Sequence, residues 1–182
     1  MKIWYISTTS QAVISVPENF RLAKSFVLKE LANNEGDPAQ PQYEISEYSM
    51  HFNELLQIFR DRYFRPIDPT SGYRQAAYNK KVGGDANSLH MKACAMDFID
   101  KYKYEYMTVL SMWLGVLYDS GIIGAINIYK NGNLYRYHVE AFSNIFLGYK
   151  KNRIRVYTDK DQYAVIAAQY EPIGIEVTYN GE

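Results

Sequence analysis

The stretch "SGYRQAAYNKKVGGDANSLHMKACAMDF", residues 71–98, decides how this chain is read. It holds His90, one of only 3 histidines among 182 residues, with Asp97 seven positions later, the pair Gly83–Gly84 and the lone cysteine, Cys94. Within it "KACAMDFI" alternates with a period of two, the pattern of a strand. Ala93, Ala95, Asp97 and Ile99 fall on one face, and Cys94, Met96 and Phe98 on the other. A carboxylate between alanines on a half-buried face needs a partner, because an unpaired buried charge is costly. The alanines also leave room beside it. His90 precedes the strand, so a loop can fold it over that face.

Outward from there, residues 73–81 form a short helix stopped by Gly83–Gly84. Upstream, "MHFNELLQIFRDRYF" (50–64) places Phe52, Leu55, Leu56 and Phe59 at helical spacing and predicts an amphipathic helix. Residues 32–42 read as loop, and 1–7 and 11–16 as short strands. Downstream, "YEYMTVLSMWLGVLY" (104–118) is apolar nearly all round, a buried helix. "GAINIYK" and "NLYRYHVEAF" then make a hairpin about Asn131–Gly132, a strong turn signal. Pairing outward from that turn sets Lys130 opposite Asn133 and Ala125 opposite His138, with Leu134, Arg136, His138 and Glu140 on one face. The tail reads as strand, helix or turn, then strand. The expected class is α+β, an antiparallel sheet packed with helices, in a single domain over residues 1–182.

Composition narrows the function. Lys+Arg and Asp+Glu balance at 20 each, so no overall field draws nucleic acid or an anionic membrane. The 18 tyrosines read mainly as strand packing. One cysteine excludes an intrachain disulfide framework. No segment approaches ~20 apolar residues, so no membrane span is expected. The first twenty residues lack an apolar stretch followed by a small-residue cleavage site. The expectation is a soluble, cytoplasmically made monomer that meets any target outside the membrane after release or as part of a virion.

The histidines differ. His51 has only Glu54 at helical spacing and reads as incidental. His90 and His138 each lie on or beside a strand with a carboxylate at usable spacing. Two imidazoles and Asp97 suit a three-ligand zinc site with an open position, the catalytic type. Spacing alone leaves open two ordinary histidines and a hydrogen-bonded aspartate.

The same stretch resembles the signature of the zinc D-alanyl-D-alanine carboxypeptidase and L,D-endopeptidase family of cell-wall peptidases. That pattern runs Ser-Gly-Tyr-Arg, Tyr-Asn, Gly-Gly, then Ser-x-His-x-x-Gly-x-Ala-x-Asp-Phe. It is matched by Ser71, Gly72, Tyr73, Arg74, Tyr78, Asn79, Gly83, Gly84, Ser88, His90, Ala95, Asp97 and Phe98. "YRYHVEAF" looks like the later strand that supplies the last ligand, and "FVLKEL" like the segment that often opens these domains. The resemblance covers about residues 20–150, leaving 151–182 to complete the domain or extend it. It implies a hedgehog-like fold, Zn²⁺ held by His90, Asp97 and His138, and a peptidoglycan peptide as substrate. It makes Arg74 a group that binds substrate and supports the developing oxyanion, a buried structural arginine being the other reading. Tyr78 and Ser88 fall on the substrate side of the motif.

Two departures bear on this. Ala93 stands where the family has glycine. The acid that many members carry three residues before the last histidine is replaced by Tyr135, so the nearest proton acceptor is Glu140. It either takes the proton from water or only orients His138. The implied activity is hydrolysis of stem peptides or cross-links of bacterial peptidoglycan, in a bacterial or phage-encoded enzyme. The alternative is a non-catalytic zinc-bearing wall-binding or virion module of the same fold.

Overall fold

The structure, a computed structural model, describes residues 13–17, 20–32 and 42–181. The strand expected over 1–7 and most of the loop expected over 32–42 lie outside the described residues. The chain opens with β1 (Val13–Pro17), β2 (Arg21–Ala23), β3 (Phe26–Val27) and the short helix α1 (Leu28–Leu31). β4 (Gln42–Ser46) pairs antiparallel with β1, and β2 with β3.

Then comes α2 (Glu47–Tyr63), longer at its start than periodicity indicates because Ser46 caps it. The Ser46 hydroxyl accepts from the Ser49 amide, and Ser49 Oγ accepts from the Ser46 amide, so two orphan N–H groups are satisfied reciprocally. Ser49 Oγ also donates to the Lys92 carbonyl at 2.9 Å, pinning the loop that follows His90 to the helix.

The main sheet is built from β5 (Pro69–Ser71), β6 (Ala95–Ile99), β7 (Gly124–Asn131), β8 (Leu134–Ala141), β9 (Arg153–Val156) and β10 (Glu176–Tyr179). The helices α3 (Ala76–Lys81), α4 (Tyr106–Ser120), α5 (Ser143–Phe146) and α6 (Lys160–Tyr170) lie between them in sequence. The strand order is β10-β9-β7-β8-β6-β5. The expected purely antiparallel sheet is corrected here to a mixed one: β9 runs parallel to both β7 and β10. The reason lies in the tail, where α6 carries the chain from the end of β9 back to the start of β10, a crossover that two parallel strands require.

The hairpin is also adjusted. Its loop is Gly132–Asn133 rather than Asn131–Gly132, and Gly132 sits at φ 59°, the positive φ that both primed turn types require at the first central position. The register is therefore two residues off the sequence expectation, with Asn127 opposite His138 and Ala125 opposite Glu140.

One sheet face is the core. Ile126, Ile128, Tyr137, Val139, Met96, Phe98, Ile154 and Val156 are buried on it. Phe59 of α2 and Trp113 of α4 meet edge to face, and Phe59 reaches Phe98. Trp113 Nε1 donates to the Ala125 carbonyl at 3.0 Å, so the indole keeps its polar end satisfied in an apolar layer. No helix among the described residues is long and apolar enough to cross a membrane.

Candidate metal centre

The other face carries the polar residues. A single row of paired positions crosses all six strands: Ser71, Asp97, His138, Asn127, Arg155 and Thr178. Asp97 and His138 sit directly opposite one another in it, so sheet pairing alone brings a carboxylate against an imidazole.

His90 arrives from the turn before β6, on a short 3₁₀ helix over Leu89–Lys92. That turn ends at Ala93, which lies at φ 50° in the left-handed region rather than on the strand face as expected. The departure from glycine there thus concerns backbone conformation more than size. The upstream motif locks the turn in place. The Arg74 amide donates to the His90 carbonyl at 3.0 Å, and His90 Nδ1 lies 2.6 Å from the Gly72 carbonyl. A carbonyl only accepts, so Nδ1 carries the proton and Nε2 presents a lone pair. Gly72 is required there, since a side chain at that position would overlap the Leu31 carbonyl.

Three donor atoms converge. His138 Nδ1 lies 2.8 Å from Asp97 Oδ1 and 3.2 Å from His90 Nε2, and His90 Nε2 lies 3.6 Å from Asp97 Oδ1. Tetrahedral zinc with bonds of about 2.0–2.1 Å has ligand–ligand edges of about 3.3–3.4 Å. The triangle fits such an ion without large movement, and these three residues form a group able to hold a metal.

Each donor is also braced from behind. The Gly72 carbonyl holds His90. Arg74 donates from its terminal nitrogen to Asp97 Oδ2 at 3.2 Å and from Nε to Ser71 Oγ at 2.8 Å. Glu140 Oε2 lies 3.0 Å from His138 Nε2, while its Oε1 accepts from Ser143 Oγ at 3.0 Å and from Arg155 at 3.4 Å. Metal-ligating histidines characteristically give their second N–H to a carboxylate or carbonyl in this way.

Electrostatics follow the geometry. Burial disfavours charge on Asp97, but hydrogen bonds from His138 and His90 outweigh it and hold the carboxyl well below the usual range. Burial pulls His90 down, keeping it neutral. His138 is opposed by burial too, yet its hydrogen bonds to Asp97 and Glu140 push it up to about 9. Glu140 is raised by burial and lowered more strongly by His138 and Arg155, ending at about 2. At neutral pH, His138 is an imidazolium between two carboxylates.

A cleft of about 490 Å³ opens beside His138 and Glu140, walled by Asp85, Ser88, Tyr149, Arg155 and Tyr157 among others. Ser88 therefore lies at the cleft. Tyr78 is half-buried on α3 and is not among the cleft's lining residues. Arg74 stands on the opposite side of Asp97. His51 pairs with Glu54 of its own helix at 3.5 Å. Arg155, Tyr149, Asn127 and Ser143 were not singled out from sequence. The one usable signal was the alternation of "RIRV", which puts Arg153 and Arg155 on one face.

A family model described as Peptidase M15 matches residues 24–116. Neither a curated protein nor a solved structure matches the chain.

Proposed function

Because the chain belongs to the peptidase M15 family, we propose that it is a zinc-dependent peptidase whose substrate is a peptide of bacterial peptidoglycan, a stem or a cross-link. The observation that carries this reading is the convergence of three donor atoms, His90 Nε2, Asp97 Oδ1 and His138 Nδ1, each braced by a partner outside the triangle. These residues would hold Zn²⁺, which supplies a Lewis acid for the scissile carbonyl and water activated near neutral pH.

The chain's own groups do the rest. Arg74, now on the outer oxygen of Asp97, keeps that carboxylate aimed at the centre. On the family motif its guanidinium is assigned to a substrate carboxylate or a developing oxyanion. Ser88 shapes the turn that carries His90: its amide donates to the Asp85 carbonyl and its carbonyl accepts from Met91. Tyr78, on the helix between Arg74 and the Gly83–Gly84 stop, is assigned to the substrate side on the motif alone. Glu140 acts as the brace of His138, since both of its oxygens are engaged by His138, Ser143 and Arg155.

That engagement favours a second reading. A peptidase needs a proton acceptor at the attacking water, and the carboxylate expected to serve stands behind His138. A zinc-bearing module that binds cell wall without cutting it would keep the same brace. Incubating the purified protein with muropeptides, with and without a chelator, separates the two. Chelator-sensitive release of peptide or D-alanine is expected. Stoichiometric zinc without any cleavage would sink the peptidase reading and leave the binding module.

A further inference from the structure

Arg155, like His138 and Glu140, lies beyond the matched family segment, on a strand that pairs in parallel with β7. It belongs to the same cross-strand row as His138, one strand removed through Asn127. One terminal nitrogen donates to Asn127 Oδ1 at 2.9 Å. The other reaches Glu140 Oε1 at 3.4 Å and the Tyr149 hydroxyl, whose ring centre lies 5.4 Å from the guanidinium carbon. The side chain is 16% exposed. A rigid planar fork with two edges taken by acceptors is fixed in place, as a flexible ammonium would not be.

Glu140 in turn joins this fork to the imidazole of His138, one oxygen facing each. The carboxylate has no freedom to rotate without breaking a bond to Arg155, Ser143 or His138. We propose that Arg155 is a positioning residue: it holds Glu140 against His138 Nε2 and so aims His138 Nδ1 at His90 and Asp97. The C-terminal crossover, outside the matched segment, thereby completes the centre. This rests on the metal-centre reading for its consequence, though not for the contact itself.

Two measurements test it on the full chain. In metal-free, ¹⁵N-labelled protein, the His138 Nε2 proton exchanges slowly with water because Glu140 covers it. Arg155→Ala is expected to speed that exchange at least tenfold. Zinc affinity, read by competition with a chelating dye, is expected to fall about tenfold in Arg155→Ala and about 10–100-fold in Glu140→Gln. In the Glu140→Gln background, adding Arg155→Ala should cost less than twofold more, because the route through Glu140 is already cut. Should Arg155→Ala fail to fold, Arg155→Lys carries the test. It keeps the charge but cannot span Asn127 and Glu140 together, and intermediate losses are expected. The proposal is overturned if exchange and affinity both stay within twofold in these variants. It is equally overturned if Arg155→Ala costs as much without Glu140 as with it. A wild-type chain that binds no zinc refutes the metal centre instead, while the proton-exchange arm still decides the role of Arg155.

Discussion

Zinc binding to the metal-free protein should release close to one proton, and that proton should come from His138. The count is worked from the three donors. His138 is pushed up to about 9, so near neutral pH it carries a proton on both ring nitrogens. Its Nε2–H points to Glu140, whereas its Nδ1–H points into the triangle, 2.8 Å from Asp97 Oδ1. A metal ligated through Nδ1 must displace that second proton. His90 contributes none, because burial lowers it and its one proton stays on Nδ1, donated to the Gly72 carbonyl. Asp97 contributes none, being ionised already. Titration calorimetry in buffers of different ionisation enthalpy gives the number directly. Working at about pH 6.5, the ordinary histidine value from which His90 is lowered, limits the ionisation of any water bound with the ion, whose pKa falls toward ~7, in the count. The slope of observed heat against buffer heat should be close to one. Affinity should rise about tenfold per pH unit below about 9, about 1.4 kcal/mol per unit. A slope near zero would mean that His138 is neutral before the metal arrives. A slope near two would mean that His90 is charged as well, and either result refutes the reasoning.

Stability of the metal-free protein should be greatest between about pH 4.5 and 6.5 as far as this pair is concerned. His138 is raised from 6.5 to about 9, so its contribution is full below 6.5 and lost as pH climbs through about 9. Glu140 is lowered from 4.5 to about 2, so its contribution is full above 4.5 and lost as pH falls through about 2. Thermal melts after chelator dialysis check this, and a melting temperature still climbing above pH 8 would count against it. Ala93→Gly should stabilise the fold by about 0.5–1 kcal/mol. It relieves ~1–2 kcal/mol of left-handed strain, against glycine's extra entropy cost of ~0.5–1 kcal/mol on folding. The melting temperature should rise by about 1–4 °C, and a fall would show that the Ala93 side chain contributes packing instead. Gly72→Ala should cost about 1–3 kcal/mol through overlap with the Leu31 backbone. It should also weaken zinc at least tenfold by moving the carbonyl that holds His90. Unchanged zinc affinity in a folded Gly72→Ala protein would remove Gly72 from the centre.

What could be read from sequence, and what could not, divides along local and non-local lines. The faces of β6 and β8 were legible because side chains alternate with a period of two. The hairpin register was misplaced by two residues, yet His138 and Glu140 stayed on one face, since only an odd slip reverses a strand's faces. The turn before β6 was legible as a turn, but not the φ of Ala93, because the alternating pattern ran on through it. The parallel pairing of β7 with β9 joins residues some 28 positions apart and leaves no mark on either strand beyond polar alternation. The role of Glu140 falls on this non-local side. The spacing that sets it one same-face step from His138 is identical for a base and for a brace. The difference lies in what stands behind the carboxylate, and that is supplied by Ser143 from the next element and by Arg155 from the crossover strand. A carboxylate free on one oxygen would accept a proton from water. One held on both, with its carboxyl lowered to about 2, favours the brace in the reading proposed above, and a Glu140→Gln protein that still cleaves would place the proton acceptor on another residue of the cleft.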